Sequence, residues 1–524
     1  MITGKNYIGF TTSAKGNDLV KNVAAHDGSS LSEDFYAATE QEIDEAVKKA
    51  THAFKVYGNM SGAKKANFLE EIAREIEMMG DTLIHRAALE SGLTQGRFEG
   101  ERARTTTQLR MFADLLREGS WVEAVIDTAL PERTPVPRTD LRKMLTPLGP
   151  VVVFAASNFP LAFSTAGGDT ASALAAGCPV IVKAHGSHLG VNDLVAGAIN
   201  RAAKKTGMPD GVFSSLNGSG RKIGKALVLH QGVKAVAFTG SYAGGKALQE
   251  LAHTRKEPIP VFAEMGSVNP VVLMSDKLVR EGDQLATLYA GSITLGVGQF
   301  CTNPGLLLGV KSDALTDFSQ RLATQLDGIE SATMLNEGIA ATYLNDRQKV
   351  LAHEAVELST KEGSTYGLPT LALTTGKNFL ANHQLHQEIF GPFSLLVTCD
   401  SQEELEQIIG TLDGQLTGTI MCTDKDLSAN SEVVNLLHHK VGRLIFNAAP
   451  TGVEVCHAMN HGGPYPSSTD SRFTSVGTGA IKRFVRAICY QNMPEAILPE
   501  ALKNVNTLTI NRLVNGKITN NSIH

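Results

Sequence analysis

The sequence predicts an α/β protein whose central part is a doubly wound, nucleotide-binding kind of domain. From residue 151 onward, short apolar runs rich in β-branched residues alternate with helical patterns. Strands are expected at 151–156, 180–183, 212–216 and 233–238, and helices at 169–176, 190–206 and 220–229. This alternation indicates parallel β-α-β units, in which ligands bind at the carboxyl ends of the strands. The chain has 524 residues, which predicts two or more packed domains.

Helical patterns precede this region, and a second α/β region follows it. Apolar residues recur at helical spacing over 40–54, 63–79 and 104–116, with charged residues on the other faces. Several prolines then interrupt the chain, and 138–146 looks extended. The alternation of strands and helices continues over 265–475. We expect a strand at 481–491 and a polar, Asn-rich tail at 498–524.

The composition is that of an ordinary globular protein. Charged residues make up 19% and hydrophobic residues 42% of the chain. A net charge of −5, without a basic stripe, argues against nucleic-acid binding. The six cysteines are dispersed, with no C-x-x-C pair and no His cluster at metal-ligand spacing. This usage favours a reduced, cytoplasmic setting and predicts no metal site.

No signal peptide and no membrane span are expected. The first residues lack an apolar h-region. The segment 144–168 carries no formal charge and is long enough to cross a bilayer. Its prolines and glycines would break a spanning helix, so we interpret it as a buried strand that leads into a loop.

Two segments carry residues suited to acyl chemistry. Cys301 lies within GQFCTNP, among glycine and small polar residues that can present a thiol to a ligand, and Glu264 lies within FAEMGSVNP. A thiol can attack a carbonyl carbon, while a carboxylate can handle the protons of a water. The uncharged neighbours of Glu264 would tend to raise its pKa towards a useful general-base value. Taken alone, a cysteine such as Cys301 is far more often a core thiol than a nucleophile, and Glu264 could be a structural residue that caps a turn.

The order of several motifs identifies a family. FAEMGSVNP followed by GQFCT resembles the aldehyde dehydrogenase superfamily. Other motifs of that family occur in the right order: SNFP at 157–160, VK at 182–183, FTGS at 238–241 and EIFGP at 388–392. The resemblance covers nearly the whole chain. It implies an aldehyde dehydrogenase-like fold, with a Rossmann-type cofactor domain, an α/β catalytic domain and a small β oligomerisation arm.

The same resemblance sets the expected domain bounds. Residues 1–130 and 151–264 would form the cofactor-binding domain, and 265–475 the catalytic domain. Residues 131–150 and 476–524 would form the oligomerisation arm and the C-terminal tail. In the family, the extended piece near 131–150 and a late strand pair with another subunit, which implies a homodimer or homotetramer.

The resemblance assigns the chemistry to Cys301, Glu264 and Asn158. An aldehyde has no leaving group but hydride, so Cys301 would first attack to form a tetrahedral thiohemiacetal. Asn158 would donate to its oxyanion beside the backbone N–H of Cys301, although an Asn before Phe-Pro can also be a turn residue. Hydride transfer to nicotinamide would leave a thioester for water to hydrolyse with the help of Glu264. His461 lies in a C-terminal loop where most of the superfamily lacks a His, and would either share the proton handling or stabilise the loop.

Several further residues are candidates for cofactor binding. Lys183 ends a strand and could reach a ribose hydroxyl. Gly240, Ser241 and Gly245 open a helix after a strand, so that backbone N–H groups there can bind a pyrophosphate. Their spacing is not the G-x-G-x-x-G fingerprint, and only the family context makes the assignment firm.

The remaining cofactor residues bear on which cofactor is used. In the family context, Glu388 would hold the nicotinamide ribose and Phe390 would pack near its ring. NAD-preferring members often place a Glu three residues after the strand-end Lys, where this chain has Gly186. Arg221 could pair with a 2′-phosphate, or could simply lie on a solvated helix end. We expect NADP to be preferred, with NAD use still open.

Further stretches narrow the resemblance to one branch of the family. They include PIPVF at 258–262, HGGPYP at 461–466, TSVG at 474–477 and YQNMP at 490–494. That branch contains 2,5-dioxovalerate (α-ketoglutarate semialdehyde) dehydrogenases and a related NADP-dependent fatty aldehyde dehydrogenase. We expect oxidation of 2,5-dioxovalerate to 2-oxoglutarate, with a long-chain aldehyde as the alternative. The far carboxylate of such a substrate needs a cation, for which Arg104, Arg110 and Arg472 are candidates.

Two other classes of function are considered. A CoA-acylating or acyl-phosphate reductase on the same scaffold would not need Glu264 to activate a water. A non-catalytic structural protein would have little reason to keep Cys301, Glu264 and Asn158 together.

Overall fold

A computed structural model describes residues 2–523 and contains four β-sheets with helices packed against them. In chain order the strands are β1 (Asn6–Ile8), β2 (Thr11–Ser13), β3 (Leu19–Val23), β4 (Ser30–Tyr36), β5 (Val125–Asp127), β6 (Leu141–Pro147), β7 (Val151–Phe154), β8 (Val180–Lys183), β9 (Phe213–Leu216), β10 (Ala235–Thr239), β11 (Val261–Glu264), β12 (Val271–Leu273), β13 (Leu306–Val310), β14 (Glu357–Leu358), β15 (Thr370–Thr375), β16 (Phe393–Cys399), β17 (Gln415–Met421), β18 (Val441–Phe446), β19 (Val485–Gln491), β20 (Arg512–Val514) and β21 (Lys517–Thr519).

The α-helices are distributed over the same length of chain. They are α1 (Glu40–Tyr57), α2 (Gly62–Glu77), α3 (Asp81–Ser91), α4 (Gln95–Glu118), α5 (Gly168–Ala176), α6 (Leu189–Lys205), α7 (Lys225–Leu229), α8 (Tyr242–His253), α9 (Ser275–Thr294), α10 (Asp313–Asp327), α11 (Glu337–Leu351), α12 (Gly376–Ala381), α13 (Gln402–Thr411), α14 (Asp424–Ala429) and α15 (Ser431–His438). The helices expected before residue 120 are confirmed, and α4 begins nine residues earlier than the pattern indicated.

The first sheet is doubly wound, as predicted. Its strand order is β11-β10-β7-β8-β9-β1-β2, with β7 to β11 parallel and β1 antiparallel to β9. Because side chains alternate along a strand, Val151 and Val153 face a core with α2, α4, α5 and α6, while Val152 faces a core with α1 and α7. Helices therefore cover both faces of this sheet.

The second sheet has the same layered construction. Its order is β14-β15-β16-β13-β12-β17-β18, parallel except for β14 at one edge. Val272 faces one core with α13, and Val271 faces the other with α9 and α10. The predicted α/β fold with two sheets of this type is confirmed.

The third sheet contains the extended segment and the C-terminal residues. Its order is β19-β6-β5-β20-β21. The expected strand at 481–491 begins only at Val485, after a 3-10 turn over Thr478–Phe484. The segment expected to be a polar tail folds back instead, because β20 pairs with β5 and Leu498, Leu502 and Ile510 join the core beneath this sheet.

Residues 2–36 contain four short strands that the sequence does not predict. Strands β1 and β2 extend the first sheet, and β3 and β4 form a separate hairpin. Within residues 2–523, no helix combines the length and apolar character needed to cross a membrane.

Candidate active site

The residues predicted for acyl chemistry meet where the two seven-stranded sheets adjoin. Glu264 is the last residue of β11, at the edge of the first sheet, and Cys301 lies just before β13 in the second. The Cys301 Sγ, a Glu264 carboxylate oxygen and a His461 ring nitrogen all lie within 4.8 Å of one another. A metal ion could bridge groups at this separation, so the expectation of no metal site stays a prediction.

The loop that carries Cys301 is held by buried amides. The Asn269 side chain donates to the backbone carbonyls of Cys301 and Asn303, each at 2.9 Å. Asn303 in turn donates to the Gly391 carbonyl at 3.2 Å. Gly298 has a φ of +65°, and a Cβ there would lie 2.3 Å from the Gly391 carbonyl carbon. Only glycine therefore allows the Cys301 loop to approach the segment that follows Glu388.

His461 lies between the thiol and the carboxylate. Its Nε2 is 3.4 Å from the Cys301 Sγ and 2.9 Å from the Glu264 Oε1. Its Nδ1 is buried without a partner, so the ring exchanges protons only through Nε2. With Nε2 protonated, the ring can donate to the carboxylate; with Nδ1 protonated, Nε2 can accept the thiol proton.

Ser475 completes this arrangement. Its hydroxyl donates a short hydrogen bond to the Glu264 Oε2, and its Oγ lies 3.0 Å from the His461 carbonyl oxygen. The His461 backbone N–H also donates to the Thr474 hydroxyl at 2.8 Å. The loop that bears His461 is thereby fixed to the end of β11.

The expected upward shift in the pKa of Glu264 is wrong. Burial does raise the pKa of this carboxyl, but the attraction of His461 and the hydrogen bonds from His461, Ser475 and Cys301 outweigh burial and leave it below its ordinary value. The pKa of Cys301 moves the other way. Burial raises it, the negative charges of Glu264 and Glu388 raise it further, and Arg104 opposes them. The thiol therefore needs a proton acceptor beside it before it can attack.

Asn158 lies in the loop after β7, a strand of the first sheet. Its side-chain amide donates to the Gln299 carbonyl at 3.0 Å, which fixes the amide next to the Cys301 loop. Arg97 donates to the Asn158 carbonyl, and its guanidinium lies 4.4 Å from the centre of the Phe159 ring. The second N–H of the amide is available for an oxyanion.

A groove of about 630 Å³ opens beside Cys301. It extends from the N-terminus of α8, at the carboxyl end of β10, to the thiol. The sequence-predicted residues that line it are Asn158, Gly240, Ser241, Glu264, Cys301, Glu388 and Phe390. His185 and Asn336, which the sequence did not single out, also line it.

The remaining predicted cofactor residues, Lys183, Gly186, Arg221 and Gly245, are not among the described residues that line this groove. Lys183 is buried at the end of β8, and burial lowers its pKa to about 8. Gly186 follows on the surface, and a Cβ there would meet no heavy atom within 4 Å. Arg221 is exposed in a π-helical turn over Gly220–Gly224 that precedes α7. Gly245 packs α8 onto β11, since a Cβ there would lie 2.5 Å from the Met265 sulfur.

Glu388 points to the end of β11. A Cβ on Gly266 would lie 2.2 Å from the Glu388 Oε2, so this glycine makes room for the carboxylate. Burial raises the pKa of Glu388 to about 7, against a hydrogen bond from the Ser267 backbone N–H.

The three arginines offered for a substrate carboxylate differ in environment. Arg110 donates to both oxygens of Glu77, and Arg472 pairs with Asp470. Because both arginines lie at the surface and are already paired, neither is suited to bind a substrate carboxylate in the site. Arg104 is largely buried, and its guanidinium lies 5.5 Å from the centre of the Phe163 ring. The Phe163 ring centre is 6.1 Å from that of His461.

Besides His185 and Asn336, sequence reasoning missed Asn269, Ser475 and Arg443 near this site. Asn269 lies within the quoted FAEMGSVNP motif and Ser475 within TSVG, so the motifs marked the segments without revealing the contacts. Arg443, in β18, carries no sequence signal that distinguishes it from a surface arginine.

Comparisons with known proteins show what this chain is similar to. The profile of the aldehyde dehydrogenase family matches residues 10–486. The chain is 49% identical over 492 residues to alpha-ketoglutaric semialdehyde dehydrogenase 2 of Azospirillum brasilense, covering 92% of this chain and 93% of that one. It is 45% identical over 528 residues to the alpha-ketoglutaric semialdehyde dehydrogenase of Acinetobacter baylyi, covering 99% of both. Its fold is similar to the crystal structure of betaine aldehyde dehydrogenase from Staphylococcus aureus, with a TM-score of 0.80 at 18% identity over 94% of this chain and 96% of that one.

Proposed function

The chain belongs to the aldehyde dehydrogenase family, and on that premise we propose that it oxidises 2,5-dioxovalerate to 2-oxoglutarate with NAD(P). The observation that carries the proposal is the meeting of a thiol, an imidazole and a carboxylate at the end of the groove. The names of the two relatives at 49% and 45% identity support this substrate.

We infer that Cys301 is the nucleophile that attacks the aldehyde carbon. Its pKa is raised, so the free thiol must lose its proton as it attacks. The His461 Nε2, at 3.4 Å from the sulfur, is the acceptor within reach. The oxyanion that forms would accept hydrogen bonds from the free side-chain N–H of Asn158 and from the backbone N–H of Cys301. Loss of one such donor typically slows a reaction by about 10²- to 10³-fold.

We assign thioester hydrolysis to Glu264. NAD(P), when bound in the groove beside Cys301, supplies the hydride acceptor. A lowered pKa keeps the Glu264 carboxylate ionised at neutral pH, ready to accept a proton from water. Ser475 and His461 hold this carboxylate from two sides and fix the direction from which it can act.

The groove fits a dinucleotide. Backbone N–H groups at the start of α8 face it, where a pyrophosphate would gain from the helix N-terminus. Lys183 and Glu388 would hold the two ribose groups, and Phe390 would pack against the nicotinamide. We propose a preference for NADP, because the surface at Gly186 leaves room for a 2′-phosphate and no carboxylate stands there to repel it. Arg221 would pair with that phosphate.

We also propose the domain bounds given by the sequence and a homodimer or homotetramer in the cytoplasm. Two edge strands support association: β19 pairs with β6 alone, and β18 pairs with β17 alone, among residues 2–523. An unpaired edge can add a strand from another chain. Val136, Ile497 and Ile518 near the arm expose 62%, 64% and 79% of their surface. A solution mass equal to one chain of 55.8 kDa, measured by light scattering, would contradict this association.

The substrate assignment is tested by steady-state assays of the purified enzyme. NADPH and NADH formation would be measured with 2,5-dioxovalerate, hexanal and decanal, with and without CoA. We expect 2,5-dioxovalerate to give the highest kcat/KM, mainly through a lower KM, and CoA to have no effect. A tenfold or greater preference for decanal would transfer the assignment to the fatty aldehyde alternative. A requirement for CoA would establish an acylating enzyme.

A further inference from the structure

Two arginines with buried, unsatisfied side-chain donors lie near Cys301. Arg104 is in α4 and Arg443 is in β18, and neither is among the residues that line the groove in the described part of the chain. The charge of the Cys301 thiolate acts on both guanidinium groups, so both lie within electrostatic range of the reacting sulfur. Phe163 lies between Arg104 and His461.

One backbone loop brings the two guanidinium groups together. The Arg104 Nη1 donates to the Val453 carbonyl in a short hydrogen bond. The Arg443 Nη1 and Nη2 donate to the Gly452 and Pro450 carbonyls at 3.0 and 2.7 Å. The two cations are close enough to repel: burial lowers the pKa of Arg443, and the charge of Arg104 lowers it further.

Three donors on these two guanidinium groups are left over. The Nε and Nη2 of Arg104 are buried without a hydrogen-bond partner, and so is the Nε of Arg443. Nε and Nη2 lie on the same side of the planar guanidinium and form the fork that binds a carboxylate through two parallel hydrogen bonds. Among residues 2–523, neither arginine forms a salt bridge, in contrast to Arg110 and Arg472. Glu101 and Glu454 attract Arg104 from a distance without pairing with it, and buried donors without a hydrogen-bond partner are costly unless an anion binds there.

We propose that Arg104 and Arg443 bind the far carboxylate of a short aldehyde substrate, Arg104 through Nε and Nη2 and Arg443 through Nε. This inference rests on the proposed function, because it concerns the tail of that same substrate. It restricts the substrate class to aldehydes with an anionic group at the end opposite the reacting carbon. It also explains how the pocket orients the aldehyde towards Cys301, since a two-point contact fixes the direction of the tail.

The test compares three aldehydes of equal length: 2,5-dioxovalerate, 5-oxopentanoate, which lacks the 2-oxo group, and pentanal, which lacks the carboxylate. Arg104→Met and Arg443→Met should each lower the kcat/KM ratio of either carboxylate substrate to pentanal by roughly ten- to a hundredfold. This is the size expected for losing a charge-assisted hydrogen bond. Arg104→Lys, which keeps a charge but not the fork, should recover part of the ratio. Arg110→Met, on the same helix but paired with Glu77, should leave the ratio unchanged.

Two readouts separate the possible failures. Glutarate, as a competitive inhibitor, should lose affinity in Arg104→Met by the same factor. If the wild type prefers pentanal but glutarate inhibition still depends on Arg104, the proposed substrate is wrong and the carboxylate site stands. If kcat/KM falls equally for all three aldehydes, with a lowered melting temperature, the arginines only brace the loop at 450–453 and the inference is overturned. Should Arg104→Met not fold, the same comparison with Arg104→Lys decides.

Discussion

The carboxyl of Glu388 is buried without a cationic partner, which allows a quantitative prediction of how stability depends on pH. Its pKa rises from 4.5 to about 7 in the fold. The folded state therefore holds this proton more tightly than the unfolded state does. The stability that protonated Glu388 provides is fully present below pH 4.5 and is lost as the pH rises through 7. One pKa unit corresponds to about 1.4 kcal/mol, so the loss amounts to about 3 kcal/mol in the free energy of unfolding.

Glu388→Gln removes this titration while keeping the size of the side chain. The difference in free energy of unfolding between the variant and the wild type should move in favour of the variant by about 3 kcal/mol between pH 4.5 and pH 8. Urea unfolding of the cofactor-free protein at several pH values, at one protein concentration, measures this difference. Other titrating groups are common to both proteins and cancel. Glu362→Gln, at an exposed position, is the matched control and should show no such trend.

The same carboxyl should govern cofactor binding. If Glu388 accepts hydrogen bonds from a ribose, its ionised form binds best, so the wild-type KM for NAD(P) should fall as the pH rises through 7. In Glu388→Gln this KM should be higher and independent of pH in that range. A stability difference that stays constant from pH 4.5 to pH 8 would refute the reasoning, because it would mean that Glu388 does not change its protonation state there.

Four further predictions concern single side chains. Cys301→Ala should abolish dehydrogenase activity while leaving folding and cofactor binding intact; turnover at the wild-type rate would refute its role. Glu264→Gln should give a pre-steady-state burst of reduced cofactor followed by slow turnover, since the amide cannot take a proton from water, and a parallel loss without a burst would argue for another role. Arg221→Ala should raise the KM for NADP about ten- to a hundredfold, equivalent to ~1.5–3 kcal/mol, with little effect on NAD; an equal loss with both would leave Arg221 a surface residue. Asn269→Ala should lower the free energy of unfolding, measured by urea titration, by about 2–4 kcal/mol, because two buried carbonyls lose their donor. The control Asn345→Ala, at the surface, should change it by less than about 0.5 kcal/mol.

The layered fold could be predicted because its signals are local. The strands at Val151–Phe154 and Val180–Lys183 are unbroken β-branched runs, and the helices between the strands bury faces of small and apolar residues. The strands β1 to β4, β20 and β21, at the two ends of the chain, could not be found this way. They are three to seven residues long, and what holds them is pairing with distant strands, such as β20 with β5.

Only part of the candidate site could be predicted from the sequence. Motifs located Cys301, Glu264, Asn158 and Glu388, and the structure brings all four to one groove. The residues that set their chemistry were found only in the fold. Ser475 reaches Glu264 across 211 positions, and Arg443 is distinguished only by the donor it leaves unsatisfied. No local pattern encodes such contacts, because either partner alone is an ordinary polar residue.

The pKa of Glu264 shows why sequence neighbours do not determine the strength of a base. Its uncharged neighbours predicted a raised pKa, and burial does act in that direction. The deciding group is His461, whose Nε2 comes within 2.9 Å of the carboxylate although nearly two hundred residues separate them. A lowered pKa makes Glu264 a weaker base that is almost wholly ionised at neutral pH. Glu264 is therefore suited to orient a water and accept its proton, and not to deprotonate a thiol whose pKa is raised. The neutral ring of His461, with its proton on Nδ1, can accept the Cys301 proton, and the imidazolium so formed lowers the pKa of Glu264. Thiol activation and water activation are thereby divided between two neighbouring groups.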